Sequence, residues 1–274
     1  MLRQVILSLL CLTIACEAFA AEDSPPESPT GASTGGLEHM RRFEMRLARG
    51  DDEVEMLDTP LLTFGDSARA NHNGTLWAFG QLGRPLAVLE LYQPDGEAKP
   101  WVHAISLTST APVVLKTPSA IDWAPAKTQI TWQKFSEAPP PAGKQGQRTR
   151  QLKDLARRFT AHEFWDPDNS RFELRLLVQP VHRYENAAAG IQDGAIFALA
   201  HGTNPEVLLL IEAAGKSADA AEWRYGLVRQ GSAEMHVALN GKEVWKVGRT
   251  PGVVGQPTDP YWLFVTPADS ADPQ

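Results

Sequence analysis

Apolar and polar positions in this chain follow the same order twice. Residues 73–92, NGTLWAFGQLGRPLAVLELY, and 193–212, DGAIFALAHGTNPEVLLLIE, share one layout: a polar-Gly dipeptide, an apolar run, a break holding Gly and Pro, and a second apolar run. Two short apolar runs with Gly, Asn and Pro at the reversals predict a β-hairpin, with Asn73-Gly74 and Asp193-Gly194 as turn dipeptides. The offset between copies is 120 residues (193−73, 198−78, 205−85, 209−89), and Pro60 pairs with Pro180 at the same distance. Downstream it drifts to 122, pairing Trp101 with Trp223 and Trp123 with Trp245. This reads as an internal duplication.

Helical spacing precedes each copy. Met40, Phe43 and Leu47 recur at i, i+3 and i+7 within 37–50, and Leu152, Leu155, Ala156 and Phe159 mark a stripe within 148–160. Strands are predicted over 55–64, 75–80, 86–92, 101–108, 112–117 and 129–135 in the first copy. Those of the second fall over 172–184, 195–200, 207–212, 224–230, 234–239 and 243–247. Asn240-Gly241, between MHVAL and EVWKV, is the best short hairpin turn. The fold expected is α+β: a tandem duplication of a helix plus mostly antiparallel β-meander unit, with five to six strands per copy. Copy one spans 37–136 and copy two 148–248. Between them lies a Pro/Gly-rich linker, 137–147, and a C-terminal extension, 249–274, carries one further strand, YWLFV.

Residues 1–20 read as a signal peptide: Arg3, an apolar core from Val5 to Cys16, then Ala18-Phe19-Ala20 as a small-x-small cleavage site. The alternative is lipid attachment at Cys16, for which Thr13 stands where Leu is usual. Residues 21–36, Pro/Ser/Gly-rich, read as a disordered linker. The two cysteines, Cys11 and Cys16, both lie in the leader, so the mature chain is expected to be cysteine-free, with no disulfide or thiol nucleophile. A net charge of −7 lacks the basic footprint of a nucleic-acid partner. No segment of the mature chain reaches about 18 apolar residues, so no transmembrane span is expected.

The chemistry-bearing residues are weighed singly. Gly65-Asp66-Ser67 after a strand resembles the nucleophile block of the Gly-Asp-Ser-Leu esterases. Yet no histidine here has Asp three residues before it, and a serine without a base is a weak nucleophile. His72, His103, His182, His201 and His236 form no metal-binding spacing. Asp166, Asp168 and Asn169 evoke a calcium loop but lack its later Gly and Glu. Arg148, Arg150, Lys153, Arg157 and Arg158 read as the solvated face of an amphipathic helix, with an anionic surface as the sharper reading. Trp77, Trp101 and Trp123 could stack on sugars if exposed, but their repeat positions favour core packing. Asn73-Gly74-Thr75 matches a glycosylation acceptor, though a hairpin turn explains Asn-Gly alone. No catalytic, cofactor-binding or metal residue is assigned, and no cofactor is expected.

FELRLLVQPVHRYE, DGAIFALAHGTNPEVLLLIEA, WRYGLVR and KEVW, from Phe172 to Trp245, look like a family of exported proteins found as many paralogues in planctomycete bacteria. The first copy resembles it less, through NGTLWAFGQLGRPLAVLELY and WVHAISL. That likeness implies export and the repeated frame; it carries no catalytic residues, and the family pattern does not keep Gly65-Asp66-Ser67. The expectation is an exported, periplasmic or extracellular, non-catalytic binding or scaffold protein, its partner an envelope component or another protein. The alternatives are an envelope or polymer hydrolase with cleft carboxylates such as Glu90, Asp122 or Glu212, and a carrier of a hydrophobic ligand. A concave pocket with convergent carboxylates or a His–carboxylate pair would mark the enzyme.

Overall fold

The computed structural model describes residues 32–50, 52–66, 71–119, 121–165, 169–250 and 255–268. The leader and its cysteines, most of the expected linker, Ser67 and the Asp166–Asp168 stretch lie outside them. The α+β expectation is overturned. Among the described residues strand makes up 48% and helix 11%, with two α-helices and antiparallel sheets that include a curled half-barrel.

The excess of predicted helix has a local cause. Helix α1 is Ala32–Met40, beginning inside the stretch expected to be a linker, and the chain is already extended at β1, Glu44–Leu47. Phe43, Met45 and Leu47 also alternate with period two, and Met45 pairs with Leu115, so sheet pairing captures them instead of a helical stripe. Likewise α2, Gln145–Ala156, stops before Phe159, which opens β9, Phe159–Trp165.

Strands β3, Leu62–Asp66, β4, Asn71–Phe79, β5, Ala87–Tyr92, and β6, Trp101–Leu107, form an antiparallel meander. β17, Tyr261–Thr266, adds to its β6 edge, giving the order β17-β6-β5-β4-β3. The second meander is β11, His182–Asn186, β12, Ile191–His201, β13, Asn204–Ala214, and β14, Glu222–Arg229. It is the centre of a nine-stranded sheet. β8, Gln133–Lys134, pairs with β14, all that remains of the strand predicted over 129–135. On the other side come β10, Ser170–Leu176, β9, β15, Glu234–Leu239, and β16, Lys242–Val247. β1, β2 (Glu53–Val54) and β7 (Val113–Lys116) make a third, small sheet.

Pairings recur between the halves. Phe64 opposes Gly74 and Tyr184 opposes Gly194; Met56 bridges Phe79 and Leu176 pairs with Leu199, all 120 residues apart (184−64, 194−74, 176−56, 199−79). Leu115 bridges Trp123 as Val237 pairs with Trp245, at 122 (237−115, 245−123). The Asn73-Gly74 and Asp193-Gly194 dipeptides are not turns, however. Both lie within strands, and a Cβ on Gly74 or Gly194 would overlap the Phe64 or Tyr184 ring. Glycine is there so that an aromatic side chain can lie across the backbone.

β4, β5, β12 and β13 carry apolar residues on both faces, which is why their sequences run rather than alternate. Leu76, Ala78 and Val88 of the first meander share one cluster with Ile196, Ala198, Leu208, Leu210 and Val228 of the second, so the sheets lie face to face. Outer faces are covered separately. Trp77, Leu89 and Ile105 pack with Met40 and Trp123 on one side; Phe197, Leu209 and Tyr225 pack with Leu152 and Leu155 of α2 on the other. Among the described residues no helix is long and apolar enough to cross a membrane.

Candidate functional site

Between the two sheets, beyond the apolar seam, lies an open cleft of about 500 Å³. Its floor is the seam-facing side of the first sheet: Glu90 and Tyr92 on β5, Ala104 on β6, Tyr261 and Leu263 on β17. Its wall comes from the second half: Trp165 at the end of β9, Asn204 and Glu206 at the start of β13, and Gln230, Gly231 and Ser232 after β14.

Strand alternation aims these groups. Leu89 and Leu91 point into the outer core of the first half, so Glu90 and Tyr92 face the seam; Val207 and Leu209 point into the outer core of the second, so Glu206 also faces the seam. Glu90 and Glu206 are 4% and 1% exposed. Burying a carboxylate costs several kcal/mol unless it is well compensated, so two in one cleft are expensive for a purely structural role. Asn204 Nδ2 donates to Glu206 Oε1 at 3.3 Å, and the backbone N–H groups of Gln230 and Gly231 donate to the Glu206 carbonyl at 2.8 and 3.0 Å. Glu206 Oε2 lies over Gly231, where an added Cβ would overlap it. Burial, followed by the negative charge of Glu90 and Glu206, holds the Tyr261 phenol well above its ordinary value, so it stays protonated.

Arg229, 8% exposed, supplies the neighbouring positive charge. It donates to Thr250 Oγ1 at 2.6 Å, to Ala233 O at 2.8 Å and to Gly248 O, and sits 5.7 Å from the Tyr261 ring centre. Burial lowers its pKa, while Tyr261 and Glu206 oppose the shift. Gln230 Nε2 donates to Ala104 O at 2.9 Å and Ser106 Oγ to Arg229 O at 2.6 Å, tying the sheets together behind the cleft.

A His–carboxylate pair adjoins this wall. Glu163, two residues before Trp165 on β9 and fully buried, accepts from His201 Nδ1 at 2.7 Å, with the Phe172 ring 5.1 Å from the imidazole. His201 pairs across the hairpin with Asn204. A carboxylate bonded to one ring nitrogen holds the imidazole in a fixed orientation.

The remaining sequence candidates separate. Glu212 is fully buried and saturated: it accepts from Arg84 at 2.6 Å, Arg224 at 2.7 and 2.9 Å, and Tyr184 at 2.9 Å. Arg84 and Arg224 also lie 4.9 and 4.4 Å from the Trp132 ring centre, so this is a clamp between the meanders. Asp122 is exposed and away from the cleft. Trp77 and Trp123 are buried and offer no platform, and Trp101 stacks on His39 at 4.6 Å. His103 is wholly buried, its Nε2 2.9 Å from His39 Nε2. His182 is partly buried, stacked on Tyr184, and His236 is held by Glu234 and Glu243 at 3.0 and 2.7 Å. On the basic helix, Arg148 together with Arg183 clamps buried Asp193, so that residue is not solvated as expected. Gly65 is pinned by Thr203, whose hydroxyl accepts from Gly65 N–H at 2.9 Å. Among the described residues no three His, Asp or Glu side chains gather as a metal would require.

Sequence reasoning reached Glu90 but passed over Glu206, Trp165, Asn204, Gln230 and Tyr261. The available signal was an acidic residue inside each apolar strand, VLELY and PEVLLL. No family model, curated protein or solved structure matches the chain.

Proposed function

We propose that this chain is an exported binding protein whose ligand enters the cleft between its two meanders. The observation that carries the reading is that Glu90 from one meander and Glu206 from the other line the same cleft as Trp165, Tyr92 and Tyr261. A concave site with a few buried polar groups and flat aromatic surfaces is the usual form of a small-molecule site. Export is supported by the leader-like 1–20 segment. The two meanders are taken as copies of one unit, supported by their recurrent pairings, with the binding groups placed where the copies differ: Glu90 stands opposite Leu210 at the 120 offset (210−90), and Glu206 opposite Leu86 (206−86).

The test is native mass spectrometry of the chain purified from its own cells, beside a Ser232→Trp variant that fills the cleft. A small molecule carried by the first and absent from the second is the expected result. The same molecules on both would place binding elsewhere and end this reading. A hydrolase is the second reading, and the Glu163–His201 pair favours it; it requires a hydrolytic activity abolished by His201→Gln with ligand binding retained.

A further inference from the structure

We propose that the cleft takes an organic ammonium ion, a primary or secondary amine on a short apolar chain. The proposal rests on the reading of the cleft as a binding site and names the ligand class. Its first support is a pair of orphaned acceptors. Asn204 Oδ1 and Gln230 Oε1 are buried and accept no hydrogen bond among the described residues, although both side chains line the cleft. Flipping either amide does not cure this. The Asn204 Nδ2 donates to Glu206 Oε1 and the Gln230 Nε2 to Ala104 O, so a flip would set oxygen against oxygen. Native proteins seldom leave such atoms unsatisfied, and the partner that completes them must be a donor.

Charge points the same way. Glu90 and Glu206 put two acidic side chains in the cleft lining. No lysine or arginine is among the cleft-lining residues. An anion would therefore find acidic groups and no cationic side chain among the lining residues, while a cation would be met by both carboxyl groups. An ammonium group offers two or three donors and no acceptor, the complement of the two orphaned amide oxygens. A sugar hydroxyl needs donors in return, and the nitrogens of Asn204 and Gln230 are already committed. Trp165, Tyr92, Tyr261 and Leu263 add apolar surface for its carbon chain.

Isothermal titration calorimetry on the whole chain at low salt, with n-butylammonium, n-butanol, butyrate and glucose as separate probes, tests this. Saturable binding of n-butylammonium at least tenfold tighter than n-butanol, and none of butyrate, is expected. Glu206→Gln should lower n-butylammonium affinity tenfold or more with unchanged circular dichroism. Should that variant fail to fold, the wild-type comparison of n-butylammonium with its neutral isostere decides alone. Equal affinity for the two, or preference for glucose or butyrate, would overturn the ammonium assignment while leaving the cleft a binding site. No saturable heat from any of the four would overturn both.

Discussion

Glu206 stands where a strand interior would ordinarily carry an apolar side chain, and its neighbours are chosen around it. Gly231 is the clearest case, because the carboxylate lies where a Cβ would be. Gly231→Ala should displace Glu206 and destabilise the fold by about 1–3 kcal/mol, the usual cost of overpacking. The cleft ligand should bind at least tenfold more weakly; thermal unfolding and calorimetry would show both. The phenols supply a pH test. Of the four tyrosines, Tyr184, Tyr225 and Tyr261 are all pushed upward, chiefly by burial. A group whose folded pKa is raised contributes stability that is whole below the unfolded value, about 10 for tyrosine. That contribution is lost as pH rises toward the folded value. Stability should therefore fall above about pH 10, and the tyrosinate absorbance of Tyr184 and Tyr261 should appear only with unfolding. Their free titration at the ordinary tyrosine value would mean that neither is sealed.

Hairpin β15–β16 lies at the end of the nine-stranded sheet, and its two halves are clipped by one imidazole. His236 bonds Glu243 and Glu234, and these contacts raise its pKa against the opposing effect of burial. His162, stacked on it at 4.8 Å, is lowered, first by burial. The clip is therefore complete below the unfolded histidine value of about 6.5 and is lost as pH rises through the folded value of His236. Amide exchange in β16, corrected for its intrinsic pH dependence, should quicken over that rise, and His236→Gln should abolish the dependence. The turn itself was legible in sequence: Asn240 and Gly241 both have positive φ, 51° and 80°, as a two-residue hairpin turn requires. Gly241→Ala should cost about 1 kcal/mol, measurable by denaturant unfolding. Asn73-Gly74 carries the same dipeptide without that geometry, because pairing with Phe64 draws it into a strand. The helices were over-read for a related reason: Leu47 and Phe159 fit either period, and the choice depends on strands far away in sequence, at Val113 and Leu239.

The whole molecule is two meanders leaning on one apolar seam, with a charged clamp on that seam and a polar cleft beyond it. The clamp predicts that Arg84→Ala, which leaves Glu212 with Arg224 and Tyr184, lowers stability by about 1.5–3 kcal/mol, the range for a hydrogen bond to a charged group. The central hairpins β4–β5 and β12–β13 were readable from the apolar runs and their breaks, but the expected five- to six-stranded meanders were not, since β7 joins a third sheet, β8 pairs with β14 and β15 with β9. The site was not, since Glu90 and Glu206 are 116 residues apart (206−90) and no local pattern says that their strands face one another. β17 is a second example: the C-terminal YWLFV run reads as a strand, but only the sheet shows that it returns to β6 and brings Tyr261 to the cleft floor. Everything proposed for the cleft requires that seam to exist. Methyl–methyl nuclear Overhauser spectra of the intact protein interrogate it without any ligand or variant. Cross-peaks joining the Leu76 and Val88 methyls to those of Ile196, Leu208 and Leu210 are predicted; methyl networks confined to each half would contradict the arrangement.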